Sequence, residues 1–182
     1  ANLEYDFNFY CITEDPANLN PKINVIPLPT VAVTGWWYKP YIFSADLPIE
    51  GTILYLDLDL VVTNSLNRLF DFYPGEYCII RDFTRSMRPN WEKYNSSVIR
   101  FEKGQLDYVW QRFKKEHLLI MRKFYGDQEV GRGKCVKIKD LSQARLGDIE
   151  SYKILNMLKH QRTVVLLHFM VILILINVMI LT

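Results

Sequence analysis

The chain has 182 residues, of which 49% are hydrophobic and 14% aromatic, so it is long and apolar enough to bury the core of one domain. Its 22 basic and 20 acidic residues leave a formal net charge of +2. This balance, without a block of like charges, excludes a disordered polyelectrolyte and gives no reason to expect a nucleic-acid partner. Three cysteines without the spacing of metal ligands favour a reducing, cytoplasmic setting.

Strand and helix signals alternate along most of the chain. We predict strands at "YDFNFYCIT" and "INVIPLP", a helix in the aromatic segment "GWWYKPYIFSADLP", and a central strand at "TILYLDLDLVV". A short helix at "TNSLNRLFDFY" follows, then strands at "EYCIIRDF" and "NSSVIRFEK" and an amphipathic helix over residues 105–124. This alternation predicts an α/β sandwich around a mainly parallel mixed sheet.

The most apolar stretch is "TVVLLHFMVILILINVMILT", residues 163–182. About 20 apolar residues are enough to span a bilayer, and the basic residues Lys159 and Arg162 before it suit a cytoplasmic side. Membrane attachment through 163–182, with the rest of the chain facing the cytoplasm, is therefore an alternative. We favour instead a closing strand at the start of this stretch, followed by an apolar tail.

Two carboxylates interrupt the apolar run of the central strand. Asp57 and Asp59 are two residues apart, so on a strand they face the same side, with their Cα atoms about 6–7 Å apart. In α/β sheets, ligands bind at the carboxyl ends of the strands. Oxygen ligands in such a place suit Mg²⁺ or Mn²⁺ together with phosphate oxygens. An edge strand with a solvated acidic face is the alternative, which the leucine-rich surroundings disfavour.

Two classes of enzyme use such a pair of aspartates. In a nucleotide-sugar glycosyltransferase, a metal joins the aspartates to the donor diphosphate and stabilises the leaving nucleotide. In a haloacid-dehalogenase-type phosphatase, the first aspartate is the nucleophile and the second is an acid/base. "YLDLDLVVTNS" superficially resembles the opening motif of that phosphatase family, but Leu60 stands where the motif usually has glycine, and two predicted strands come before it.

An ordered set of segments resembles glycosyltransferases of the GT-A fold. "GTILYLDLDLVVTNSLNRLFDF" is the most specific match, and "FNFYCITEDP", "GWWYKPYIFS", "YNSSVIRF", "FYGDQEV" and "RTVVLLHF" follow the order of the family. The chain is most similar to the group of glycogenin and lipopolysaccharide galactosyltransferases and to related uncharacterised bacterial and phage proteins. The resemblance covers one domain of residues 1–169, weakly over 131–150, and leaves an apolar tail at 170–182.

The resemblance implies a metal-dependent donor site. Asp57 and Asp59 would bind the metal, Asp57 would also contact the nucleotide ribose, and His168 would be the third protein ligand. A histidine ligand favours Mn²⁺, with Mg²⁺ as the alternative. The donor would be a nucleotide sugar, with UDP as the nucleotide by resemblance, and the acceptor a saccharide or another hydroxyl compound.

The resemblance also implies residues around the transferred sugar. Lys39 would neutralise the diphosphate or contact the sugar, and Asn95 and Ser96 would line the donor sugar. Asp127 and Gln128 would lie beside the anomeric carbon, where Asp127 would be the base of an inverting reaction. The alternatives are a solvated lysine, capping of a loop by Asn95 and Ser96, and an N-cap at Asp127.

The chain also departs from the family. We expect the sheet to lack the first strand of the family, which holds the nucleotide base. Ser97 replaces a glycine, and neither the glycine nor the Lys-Pro pair that follows the family's histidine is present after His168. A third reading is therefore an inactive fragment that acts as a binding or membrane-attached module.

Overall fold

The structure is a computed structural model. It describes residues 3–83, 88, 90, 93–126, 138–144, 149–151 and 171–176.

The described residues form one large and one small β-sheet. The large sheet contains seven strands, in the spatial order β2-β1-β9-β3-β6-β5-β7. Its strands are β1 (Phe7–Ile12), β2 (Asn24–Ile26), β3 (Thr52–Asp57), β5 (Cys78–Arg81), β6 (Tyr94–Glu102), β7 (Lys139–Asp140) and β9 (Val171–Ile176). The small sheet pairs β4 (Leu60–Val62) with β8 (Ile149–Ser151).

The described residues contain few helical elements. They are a 3₁₀ helix at Gly35–Phe43, α1 at Asn67–Asp71, α2 at Asp107–Lys123 and a 3₁₀ turn at Leu141–Ala144. The predicted aromatic helix is therefore present, in 3₁₀ form and with Pro40 inside it.

The large sheet is mixed, which confirms the predicted mixed α/β architecture. In the described part of the chain, β1, β2, β3, β5 and β7 run in one direction, whereas β6 and β9 run in the other. The prediction of a mainly parallel sheet holds for strand direction but is wrong for strand pairing. The reason is that β6 and β9 each lie between two strands of the opposite direction, so four of the six pairings are antiparallel.

Strand β3 is buried on both faces, as its apolar run predicted. Ile53 and Tyr55 belong to a core cluster that includes side chains of the 3₁₀ helix and of α2. Leu54 and Leu56 belong to a second cluster with residues of α1. Because successive side chains of a strand face opposite sides, the two clusters cover the two faces of β3. Burial of each such side chain contributes roughly 1.5–3 kcal/mol.

Helix α2 has the predicted amphipathic pattern, and it fixes the 3₁₀ helix against the sheet. Its apolar face buries Val109, Trp110 and Phe113. Trp37 of the 3₁₀ helix stacks on Phe113 with a centroid distance of 6.2 Å and an interplanar angle of 12°. This contact places the following turn of the 3₁₀ helix, which carries Lys39, beside the sheet.

Strand β9 lies in the interior of the large sheet. Residues 171–176 fall within the predicted apolar tail, and they pair antiparallel with β1 on one side and with β3 on the other. The position between β1 and β3 is therefore occupied by β9, a strand that runs antiparallel to both of them. The predicted closing strand at 163–169 lies outside the described residues, and the domain boundary at 169 stays a prediction. No helix among the described residues is long and apolar enough to cross a membrane.

Candidate functional site

The two aspartates of the central segment lie on different elements. Asp57 is the last residue of β3, and Asp59 follows in a turn. The prediction that both lie on one strand is therefore wrong. The strand stops because the next segment, β4, pairs with β8 in the small sheet, so the chain has to turn between the two sheets. Both carboxylate side chains belong to half-buried residues.

The carboxyl ends of β1 and β3 meet at one edge of the large sheet. Ile12 of β1 and Asp57 of β3 both lie opposite Val171 of β9. Thr13, which follows β1, is buried at this edge. Because β1 and β3 run in the same direction, this is the edge at which α/β sheets bind their ligands.

Lys39 contacts Asp57 directly. Its ammonium Nζ lies 3.0 Å from Oδ1 and 3.1 Å from Oδ2 of Asp57. Lys39 itself is only 9% exposed, whereas the Asp57 side chain keeps 24% of its surface in contact with solvent. A buried ammonium is costly unless a charge or several hydrogen-bond acceptors compensate for it. The contact with Asp57 provides that compensation, and the carboxylate remains in partial contact with solvent.

An irregularity in β6 brings Ser96 to the same ammonium. The pairing of β5 with β6 shifts between Ile79, which lies opposite Ile99, and Ile80, which lies opposite Asn95, so that β6 bulges between these pairs. Ser96 is buried in this bulge, and its Oγ accepts a hydrogen bond of 3.0 Å from Lys39 Nζ. Bulges of this kind are frequent next to active sites, where they redirect a side chain.

Asn95 makes a hydrogen bond to the nearby backbone, as the alternative of a capping residue predicts. Its Oδ1 accepts a hydrogen bond of 2.7 Å from the backbone N–H of Ser97. The amide side chain thus stabilises the bulge that positions Ser96. Asn95 is half-buried, so this contact is compatible with a further contact to a ligand.

Tyr55 belongs to the site, although the sequence analysis did not single it out. Its hydroxyl donates a hydrogen bond to Oδ1 of Asp57. Its ring centroid lies 5.3 Å from Lys39 Nζ, within the range of a cation–π interaction. The signal was present in the sequence, because Tyr55 and Asp57 are two residues apart on a strand and therefore face the same side.

The ligand atoms that the site offers fit a hard divalent cation. Asp57 and Asp59 offer carboxylate oxygens, the ligand type that Mg²⁺ and Mn²⁺ take. Within the described ranges, no group of three or more histidine, cysteine, aspartate or glutamate side chains is placed to hold a metal. The third predicted ligand, His168, lies outside those ranges, as do Asp127 and Gln128. Of the predicted site residues, the structure thus brings together Lys39, Asp57 and Ser96.

No family model and no curated protein matches the chain. Among solved structures, the chain is similar to the glycosyltransferase GlyE of Streptococcus pneumoniae TIGR4, with 23% sequence identity and a TM-score of 0.41. The likeness covers 60% of this chain and 28% of that one, so the matched part corresponds to less than a third of the other protein.

Proposed function

We propose that this chain is a glycosyltransferase of the GT-A type, which transfers a sugar from a nucleoside diphosphate donor to a hydroxyl group of an acceptor. The observation that carries the proposal is the cluster of Lys39, Asp57 and Ser96 at the carboxyl end of β3. It combines an acidic group, a basic group and a hydroxyl at the ligand-binding edge of an α/β sheet. UDP is the proposed nucleotide, by resemblance of the segments around these residues.

The residues of the cluster have different roles in binding the nucleotide-sugar donor. Asp57 and Asp59 hold the metal, with His168 as the third ligand by resemblance. Mn²⁺ is the proposed ion and Mg²⁺ its alternative; when bound, the ion supplies Lewis-acid stabilisation of the leaving diphosphate. Lys39 supports the diphosphate electrostatically, since an ammonium in a largely buried site stabilises an anion more strongly than one in water.

The remaining assignments concern the sugar. Ser96 and Asn95, at the bulge of β6, line the donor sugar, and the bulge keeps their backbone fixed. Asp127 and Gln128 are assigned to the reacting centre by resemblance alone. The acceptor is a saccharide or another hydroxyl compound.

Donor turnover tests this proposal. We expect release of UDP from UDP-glucose or UDP-galactose in the presence of MnCl₂, and its loss in Asp57→Asn. Asp46→Asn, which changes an exposed aspartate, serves as the matched control and should turn over like the parent chain. Hydrolysis of p-nitrophenyl phosphate that depends on Asp57, without UDP release from either donor, would contradict the proposal and favour a phosphatase.

A further inference from the structure

The ammonium of Lys39 has the surroundings of a bound cation. The oxygen atoms around Nζ include the two carboxylate oxygens of Asp57 at 3.0 and 3.1 Å, Ser96 Oγ at 3.0 Å and the Ser96 carbonyl oxygen at 3.5 Å. Two of these oxygens carry the negative charge that a metal at Asp57 needs. Asp57 therefore already has a counter-ion that belongs to the chain itself.

A divalent cation and this ammonium compete for the same carboxylate. Mg²⁺ binds oxygen at about 2.0–2.1 Å and demands a well-ordered set of ligands. With Lys39 Nζ against both oxygens of Asp57, a metal on that carboxylate lies within a few ångströms of a unit positive charge. At about 4 Å, such a repulsion is large in a partly buried site. The two cations therefore destabilise each other.

We propose that Lys39 is a resident counter-ion that competes with a divalent cation for Asp57. The ammonium neutralises the half-buried carboxylate of Asp57 without metal, and metal binding displaces it from that carboxylate. The released ammonium is then available to a phosphate group of the donor, a second step that rests on the proposed function. Lys39 thus sets the metal affinity of the site as well as its affinity for an anion.

The contacts around Lys39 oppose this displacement. The Tyr55 ring lies beside the ammonium, and the hydroxyl of Ser96 accepts one of its hydrogen bonds. These contacts stabilise the ion pair of Lys39 and Asp57, so weakening them should favour the binding of a metal to Asp57. Ser96→Ala removes one hydroxyl and leaves the charge of Lys39 in place. It therefore weakens the Lys39–Asp57 pair less than removal of the ammonium does.

Binding of Mn²⁺ alone, measured by titration calorimetry without nucleotide, tests the competition. We expect Lys39→Met to bind Mn²⁺ at least about tenfold more tightly than the parent chain, because the repelling charge is gone. Ser96→Ala should tighten binding less, and Ser97→Ala should not change it. Lys103→Met is the matched control, since Lys103 is half-buried and donates to the carbonyl oxygen of Leu47.

The double variant Lys39→Met/Asp57→Asn links the gain to Asp57, and we expect it to lose the tighter binding. Circular dichroism confirms that each variant is folded; should Lys39→Met fail to fold, Ser96→Ala carries the test. Unchanged or weaker Mn²⁺ affinity in folded Lys39→Met, or no Mn²⁺ binding in any variant, would overturn the competition. Failure of UDP to bind to variants that show the Mn²⁺ effect would instead overturn the proposed function and leave the competition standing.

Discussion

The hydroxyl of Tyr55 donates a hydrogen bond to Oδ1 of Asp57, two residues further along β3. The ring of Tyr55 is fully buried in the core, so its hydroxyl is fixed relative to the strand. Asp57 is the last residue of β3 and is therefore held in place by the strand and by the hydroxyl of Tyr55. The carboxylate is oriented before any ligand arrives, and such preorganisation lowers the cost of binding.

Tyr55→Phe tests this orientation, because it keeps the buried ring and removes only the hydroxyl. We expect UDP affinity in the presence of Mn²⁺ to fall about tenfold, near the lower end for a hydrogen bond to a charged group. The free energy of unfolding should fall by no more than about 1.5 kcal/mol. Titration calorimetry and urea unfolding measure the two quantities.

The control for Tyr55 is another tyrosine, Tyr41, which packs against the same core cluster. Tyr41→Phe changes a half-buried residue that packs on Trp110, and it should leave UDP affinity unchanged. If Tyr55 acts through Asp57, Tyr55→Phe should cause no further loss in an Asp57→Asn background. An equal loss in both backgrounds would mean that Tyr55 does not act through Asp57.

Arg100 of β6 is a buried cation with a structural task. Its guanidinium donates to the carbonyl oxygens of Phe70, Tyr73 and Glu76, and Nη2 lies 2.8 Å from Cys78 Sγ. Burial raises the pKa of the Cys78 thiol, and Arg100 opposes that shift. The contacts tie the connection between α1 and β5 to the strand that also carries the bulge.

We expect Arg100→Met to lower the free energy of unfolding by about 3 kcal/mol, because it leaves several buried carbonyl oxygens without their donor. Urea unfolding followed by tryptophan fluorescence measures this loss. Arg112→Met is the control: Arg112 pairs with Glu116 on the surface of α2 with 62% of its side chain exposed, and such a pair contributes less than about 0.5 kcal/mol. Equal losses of stability in the two variants would contradict this structural role of Arg100.

The position of β9 predicts a strong effect of proline there. Leu173 pairs with Tyr10 on one side and with Tyr55 on the other, so a proline breaks an inner strand. We expect Leu173→Pro to lower the free energy of unfolding by about 1–3 kcal/mol, because a ladder hydrogen bond is lost and its buried acceptor is left without a donor. Val25→Pro, on the edge strand β2, should cost clearly less. Full stability of Leu173→Pro in urea would contradict the pairing of β9 within the sheet.

The elements with a strong local period could be predicted from the sequence. The apolar run that begins at Thr52 indicated a strand buried on both faces, which the structure has as far as Asp57. The spacing of Val109, Trp110 and Phe113 indicated an amphipathic helix, which the structure also has. Both patterns are set by residues close in the chain. Local patterning is sufficient when the burial of each residue follows from its neighbours in sequence.

The features that depend on distant parts of the chain could not be predicted in this way. Asp59 leaves the strand because β4 pairs with β8, about 90 residues further along the chain, and a strand period carries no information about that partner. The bulge that turns Ser96 towards Lys39 likewise depends on the pairing with β5. The antiparallel strands β6 and β9 look like any other apolar strands in sequence.

Binding of UDP, measured by titration calorimetry with and without MnCl₂, tests the donor site most sharply. The proposal predicts that UDP binds to the parent chain with Mn²⁺, that its affinity falls at least about tenfold without the metal, and that it falls similarly in Asp57→Asn. Asp46→Asn should bind like the parent chain. UDP affinity that is the same with and without Mn²⁺, and the same in Asp57→Asn, would contradict the assignment of this site to a nucleotide-sugar donor.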